Sequence, residues 1–221
     1  MVFHVLNRGV ARMQVFEKTE DYEAFERVVG ETLREAPIRI CSYCIMPNHW
    51  HMLVWPERDG GLARFMQRLT ITHVRRWQEH RRYVGLGHVY QGSYKSFPVE
   101  EDACFLAVAR YVERNALRAN LVERAEQWRW SSLWRGRCDG VEQQKILAAW
   151  PVEMPIDWIE WVNRADNEKE LEALRRSVQR GRPYGTPEWQ RRIAKRLGLE
   201  SAYRSAGRPR IANGANQSSR P

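Results

Sequence analysis

The stretch IRICSYCIMPNHWHMLVWP, Ile38 to Pro56, holds two apolar runs parted only by Pro47-Asn48. A two-residue break is too short for a crossover between parallel strands, so the runs form an antiparallel hairpin. Side chains two apart share a strand face, so His49 and His51 point one way while Trp50 and Met52 point the other. Two imidazoles on one face of a largely buried strand have two readings. They are hydrogen-bonded core histidines, or they are two of the ligands of a metal ion, whose third ligand must come from elsewhere in the chain. An H-x-H alone does not decide between them.

Outward from the hairpin, VFHVLN (2–7) reads as a first strand closed by Arg8-Gly9. Thr19 fits an N-cap, with Glu20 and Asp21 in a first turn that favours acids. The helix over 19–36 carries Tyr22, Phe25, Val28, Val29 and Leu33 at helical spacing, and Pro37 stops it. Asp59-Gly60-Gly61 precedes a second amphipathic helix, LARFMQRLTITHVRRWQEHRR, whose Phe65, Met66 and Leu69 read as core. HVYQGSYKSFPV (88–99) is a further strand or hairpin arm, and a third helix over 100–120 is opened by three acids. The order β-α-β-β-α-β-α predicts a ferredoxin-like α+β fold, an antiparallel sheet of four to five strands covered by helices.

Beyond WRWSSLWRGR the pattern is looser. Asp157 and Glu160 fit a capping box for a helix running to about Arg180, and Thr186-Pro187 opens a helix that ends at Gly198. The expected organisation is a catalytic domain over 1–135, a helical extension over 136–204 and a basic tail over 205–221. Charge follows the same division. Of 36 Lys and Arg and 27 Asp and Glu, the segment from Arg175 to Pro221 holds twelve basic residues and two Glu, so the rest is close to neutral. Such a basic end points to nucleic acid. Cys41 and Cys44 form one C-x-x-C without a second pair at zinc spacing, so packed, reduced thiols are expected. The first residues lack a signal peptide's apolar core, and no apolar run approaches a membrane span, which predicts a cytoplasmic protein without membrane contact.

In YVERNALRAN (111–120), Tyr111 and Asn115 are four apart and share one helix face. This segment and MPNHWHMLVWP, in this order, resemble the nucleophile helix and the histidine–hydrophobic–histidine motif of single-tyrosine HUH transposases. NRG (7–9), VYQGSYKSFPV (89–99), WRWSS (128–132), RGRPYG (180–185) and GRPR (207–210) extend the likeness along nearly the whole chain, nearest to the REP-associated tyrosine transposases of bacteria.

The resemblance implies that Tyr111 is the nucleophile, and that His49, His51 and Asn115 hold Mg²⁺ or Mn²⁺. It implies single-strand DNA cleavage and joining through a 5′-phosphotyrosine, on palindromic repeats folded as hairpins, by a nucleoid-associated monomer. The other reading is a non-catalytic architectural protein that binds the same repeats. Candidate DNA contacts are Arg8, Arg75, Arg76, Lys95, Arg114, Arg118, Arg182, Arg208 and Arg210; the Gly-Arg-Pro pieces around the last three suit a narrow groove. His4, His73, His80 and His88 read as ordinary histidines. Two positions depart from the family pattern. Ala116 and Asn120 stand where Pro and Gly are common, but neither departure removes a ligand, and Asn120 tolerates the left-handed conformation of a helix end.

Overall fold

The computed structural model describes residues 1–85, 87–137 and 146–204. Its sheet has four strands: β1 (Val2–Arg8), β2 (Arg39–Met46), β3 (His49–Trp55) and β4 (Lys95–Val99). They lie in the order β2-β3-β1-β4 and every pairing is antiparallel. With α1 (Thr19–Glu35) between β1 and β2, and α2 (Gly61–His80) between β3 and β4, this is the ferredoxin-like arrangement expected from the sequence. Helices α3 (Ala103–Glu113), α4 (Asn115–Arg118) and α5 (Ser132–Arg135) follow, then α6 (Trp158–Asn163), α7 (Glu168–Arg180) and α8 (Pro187–Leu197).

Strand alternation sorts the core into two layers. Val5, Trp50, Met52 and Val54 face α1 and α2, where Phe25, Val28, Phe65, Met66 and Leu69 complete one cluster. Val2, Leu53, Phe97 and Val99 face α3, with Phe105, Val108 and Val112. Trp158, Val162 and Leu174 of the later helices lie in this second cluster, so α6 and α7 share the core of the sheet. Cys41 and Cys44 are buried there as well.

The β2–β3 turn is tied down from outside the hairpin. The Pro47 carbonyl accepts from the backbone N–H groups of Val15 and Phe16, and the Asn48 carbonyl accepts from that of Gly9. A side chain at position 9 would place its Cβ 2.5 Å from the Met13 oxygen, so this close approach needs glycine.

Several boundaries differ from expectation. Thr19 is the first residue of α1 rather than its cap; the Asp21 carboxylate accepts from the backbone N–H groups of Glu17 and Lys18 instead. The strand over 88–99 shrinks to Lys95–Val99, because Tyr90 turns inward to accept from the Trp50 indole and bond His73. Asp157 and Glu160 form no capping box, since their carboxylates pair with Arg164 and Arg124. The helix expected between them and Arg180 is two helices, α6 and α7, broken at 164–167. Thr186-Pro187 does open α8, and Gly198 closes it in the left-handed conformation.

Candidate functional site

The face of the sheet under α3 carries the histidines. Leu6 lies opposite His51, Arg8 opposite His49, and His4 opposite Leu53, so alternation puts His4, Arg8, His49 and His51 on one face. Lys95 extends the His51–Leu6 row onto the edge strand β4. Ring centroids of His49 and His51 are 5.0 Å apart, and the phenol ring of Tyr111 stands edge-on to His51 at 5.8 Å. The tyrosine is half-buried. Asn115, one turn further, is only 8 % exposed.

Tyr111 and Asn115 belong to different helical segments. The single helix expected over 100–120 is interrupted at Arg114, whose N–H bonds the Arg110 carbonyl while its own carbonyl accepts from Arg118 N–H. Asn120 ends the run at φ 54°, with Leu121 N–H bonding the Ala116 carbonyl and Asn120 N–H that of Leu117. This is a Schellman closure with asparagine in the left-handed position.

Both strand histidines have Nδ1 occupied. The Asn48 side-chain oxygen accepts from His49 Nδ1 at 2.6 Å, and His51 Nδ1 shares a 2.9 Å hydrogen bond with His4 Nε2. This leaves the two Nε2 atoms as the available donors. Burial pushes His4 down to about 3; burial and then Arg8 push His49 down to about 4; burial, His49 and His4 hold His51 well below the usual histidine range. At neutral pH all three rings are uncharged, the form that can ligate a cation. Burial raises the Tyr111 phenol, and the nearby guanidiniums of Arg118, Arg175 and Arg8 pull against that rise without cancelling it. Arg118 stacks its guanidinium 4.4 Å over the phenol ring.

Among the described residues, the buried side-chain polar atoms that lack a hydrogen-bond partner are His4 Nδ1, Arg8 Nε and the Asn115 amide nitrogen. Two of these residues, His4 and Arg8, lie on the sheet face that carries the histidines. Buried polar atoms are rarely left unmatched, so the orphaned nitrogens of His4 and Arg8 on one sheet face point to a polar guest there. Two imidazole nitrogens and a carboxamide form a mixed N/O set that suits a hard divalent cation with open positions, and the residues present fit Mg²⁺ or Mn²⁺. A different cluster, Glu100, Asp102 and Cys104, also brings ligand-type atoms within 4.8 Å of one another. There Asp102 caps α3 through Cys104 N–H, and Glu100 accepts from Thr186, which accounts for both carboxylates.

The other basic candidates are spread more widely. Arg8 and Arg118 border the site. Arg114 and Arg118 both donate to the Asp166 carboxylate, as does Arg110, so three guanidiniums one turn apart meet one acid in the break between α6 and α7. Arg75 and Arg76 are on α2, across the sheet from the histidines, paired with Glu79 and Glu31. Arg182 donates to the Ala202 carbonyl and stacks on Tyr203. Arg208, Arg210 and the 205–221 tail lie outside the described residues.

On the opposite side of α3, Glu113 is 2 % exposed and accepts from Ser42, Ser132 and the Trp158 indole, none of them charged. Burial, only partly offset by these bonds, pushes its carboxyl up to about 7 from an ordinary 4.5. A carboxyl raised on folding contributes stability that is present below its unfolded pKa and lost as pH rises through the folded one. The lowered histidines run the other way, losing their contribution as pH falls. Glu113→Gln isolates the carboxyl. From about pH 5 to pH 8 wild type should lose ~2–3 kcal/mol relative to this variant, read from urea midpoints; a constant difference across that range sinks the assignment.

The sequence reading misses His4, Glu113 and Asp166. For His4 a signal exists, since it shares strand parity with Arg8, but which β3 residue it meets depends on register. Glu113 and Asp166 carry no local signal.

A family model described as "Transposase IS200 like" matches residues 1–115. Among solved structures, a REP-associated tyrosine transposase bound to a REP hairpin aligns at TM-score 0.46 with 16% identity, over 61% of this chain and 76% of that one. A Deinococcus radiodurans protein assigned as a transposase aligns at TM-score 0.39 with 17% identity, over 55% and 85%. No curated protein matches the chain. Among the described residues, no helix is long and apolar enough to cross a membrane.

Proposed function

Because the chain belongs to the IS200-like transposase family, whose model spans more than half of it, we propose that it is a metal-dependent nuclease and strand-transferase for single-stranded DNA, with Tyr111 as nucleophile. The observation that carries this reading is the grouping of His4, His49 and His51 on one sheet face, with the Tyr111 ring edge-on to His4 and His51. His49, His51 and Asn115 would hold the cation. When bound, Mg²⁺ or Mn²⁺ supplies Lewis-acid polarisation of the scissile phosphate.

The chain's own groups do the rest. Tyr111 Oη forms a bond to phosphorus, the P–O3′ bond breaks, and the phenolic proton is taken up overall by the departing 3′ oxygen. The products are a 5′-phosphotyrosine and a free 3′-hydroxyl. The tyrosyl ester keeps the phosphodiester's energy, so a 3′-hydroxyl can reverse the step without ATP. Arg118 over the phenol ring and Arg8 beside the histidines favour both the phenolate and the phosphate. Lys95, exposed at the sheet edge on the same face, extends this positive field along a single strand. The substrate we propose is a palindromic repeat folded as a hairpin, and the protein acts as a monomer near the nucleoid, with the 136–204 extension and the 205–221 tail as DNA-contacting regions.

The test is a labelled single-stranded hairpin incubated with the protein and Mg²⁺ or Mn²⁺, then resolved under denaturing conditions. A 5′-linked protein–DNA adduct and a 3′-hydroxyl fragment are expected. Hairpin binding without any cut product would favour the architectural reading. His51→Ala and Asn115→Ala should each lower cleavage by at least ~100-fold and weaken Mn²⁺ binding measured by calorimetry. Unchanged Mn²⁺ affinity in both would remove them from the ligand set.

A further inference from the structure

His4 is fully buried on β1. Its register partner is Leu53, but its ring leans diagonally towards His51, with Nε2 2.9 Å from His51 Nδ1. Phe97 covers it at 4.7 Å between centroids, and Tyr111 meets it edge-on at 6.2 Å. Among the described residues its second nitrogen, Nδ1, has no partner.

Two neutral imidazoles sharing one hydrogen bond have two arrangements. If His4 Nε2 carries the proton and donates, His51 keeps its own proton on Nε2, where it blocks a ligand lone pair. If His51 Nδ1 donates, its Nε2 is free and His4 must hold its proton on the unpartnered Nδ1. Only the second arrangement is compatible with a cation on His51. We propose that His4 is a positioning residue for the cation site: by accepting from His51 Nδ1 it fixes the ring's aim and the tautomer that exposes Nε2. The side-chain oxygen of Asn48 does the same for His49. Partners of ligating histidines are often carboxylates. An imidazole accepts the same bond without adding negative charge beside an incoming phosphodiester, so this choice suits an anionic substrate.

The inference rests on the reading of His51 as a ligand, and the experiment separates the two. Mn²⁺ alone is titrated into full-length metal-free wild type, His4→Phe and His4→Gln, by calorimetry and electron paramagnetic resonance. Phe keeps the packing against Phe97 but cannot accept; Gln can. Affinity should fall about 10- to 100-fold in His4→Phe and recover most of that loss in His4→Gln, while the metal-free unfolding midpoint of His4→Phe stays at or above wild type. Wild-type affinity in His4→Phe, or no recovery in a folded His4→Gln, overturns the proposal alone. No Mn²⁺ binding by wild type overturns the ligand reading and this one with it. ¹⁵N-histidine spectra of wild type decide even if both variants misfold: with Mg²⁺, His4 should report its proton on Nδ1, and a proton kept on Nε2 refutes the proposal.

Discussion

Tyr111→Phe should fold, bind hairpin DNA with wild-type affinity and form no covalent adduct, with cleavage reduced by more than ~10⁴-fold, the scale on which loss of a covalent nucleophile acts. The substitution removes one oxygen. The ring contacts with His51 and His4 depend on the aromatic edge and face, and they survive it. The stacking of Arg118 over the ring also survives, because phenylalanine presents a similar π-face. Stability therefore barely moves, and a lost adduct reports chemistry rather than folding. The measurement is the yield of protease-sensitive, denaturant-resistant DNA label at matched occupancy. An adduct at normal yield means that another residue attacks, and the geometry around Tyr111 then has to be explained by packing alone.

The parts of this site that sequence makes legible are those set by local periodicity. Period-two alternation in the 49–55 run places His49 and His51 on one face whatever the fold, and one helical turn relates Tyr111 to Asn115. The turn at Pro47-Asn48 is equally local. The pairing of His4 with His51 is different, because it requires β1 to lie beside β3 in a register set by the whole sheet. The sequence shows a histidine in a strand and nothing of its neighbour. Arg114 and Arg118 show the same limit. Their charge suits DNA, but each guanidinium spends part of its donor capacity on Asp166, an acid about fifty residues downstream in a break that periodicity reads as continuous helix. The false capping box at Asp157 and Glu160 has the same origin, since Arg124 and Arg164 offer those carboxylates charged partners that outcompete backbone amides.

Asp166→Ala should be the most destabilising single change near the site, costing ~3 kcal/mol or more, with Asp166→Asn intermediate. The acid is 14 % exposed, and the three arginines around it are 7 %, 12 % and 17 % exposed, so solvent screens these pairs weakly. Burial raises the Asp166 carboxyl, but Arg118, Arg114 and Arg110 outweigh it and hold the group below the usual carboxylate range. A carboxyl lowered on folding stabilises above its unfolded pKa, and the contribution goes only as pH falls through the folded value, so the charge-linked part of the variant's penalty should be present at neutral pH and fade in acid. Removing the charge leaves three guanidiniums one turn apart with backbone carbonyls as their hydrogen-bond partners among the described residues. Arg110 retains those of Trp161, Arg164 and Ala165, and Arg114 that of Val162. Among the described residues Arg118 keeps one hydrogen-bond partner, the Tyr111 carbonyl at 3.2 Å, and is the least anchored. Its freedom reaches the proposed chemistry, because its guanidinium lies over the Tyr111 ring; adduct formation should drop by roughly tenfold or more even where the variant stays folded. Urea midpoints across pH, with adduct yield measured below the transition, test both halves. A loss under ~0.5 kcal/mol at neutral pH would show that the arginines need no counter-charge. The arginine row along α3 and α4 would then be a surface held ready for phosphates rather than the joint that ties α6 and α7 to the helix of Tyr111.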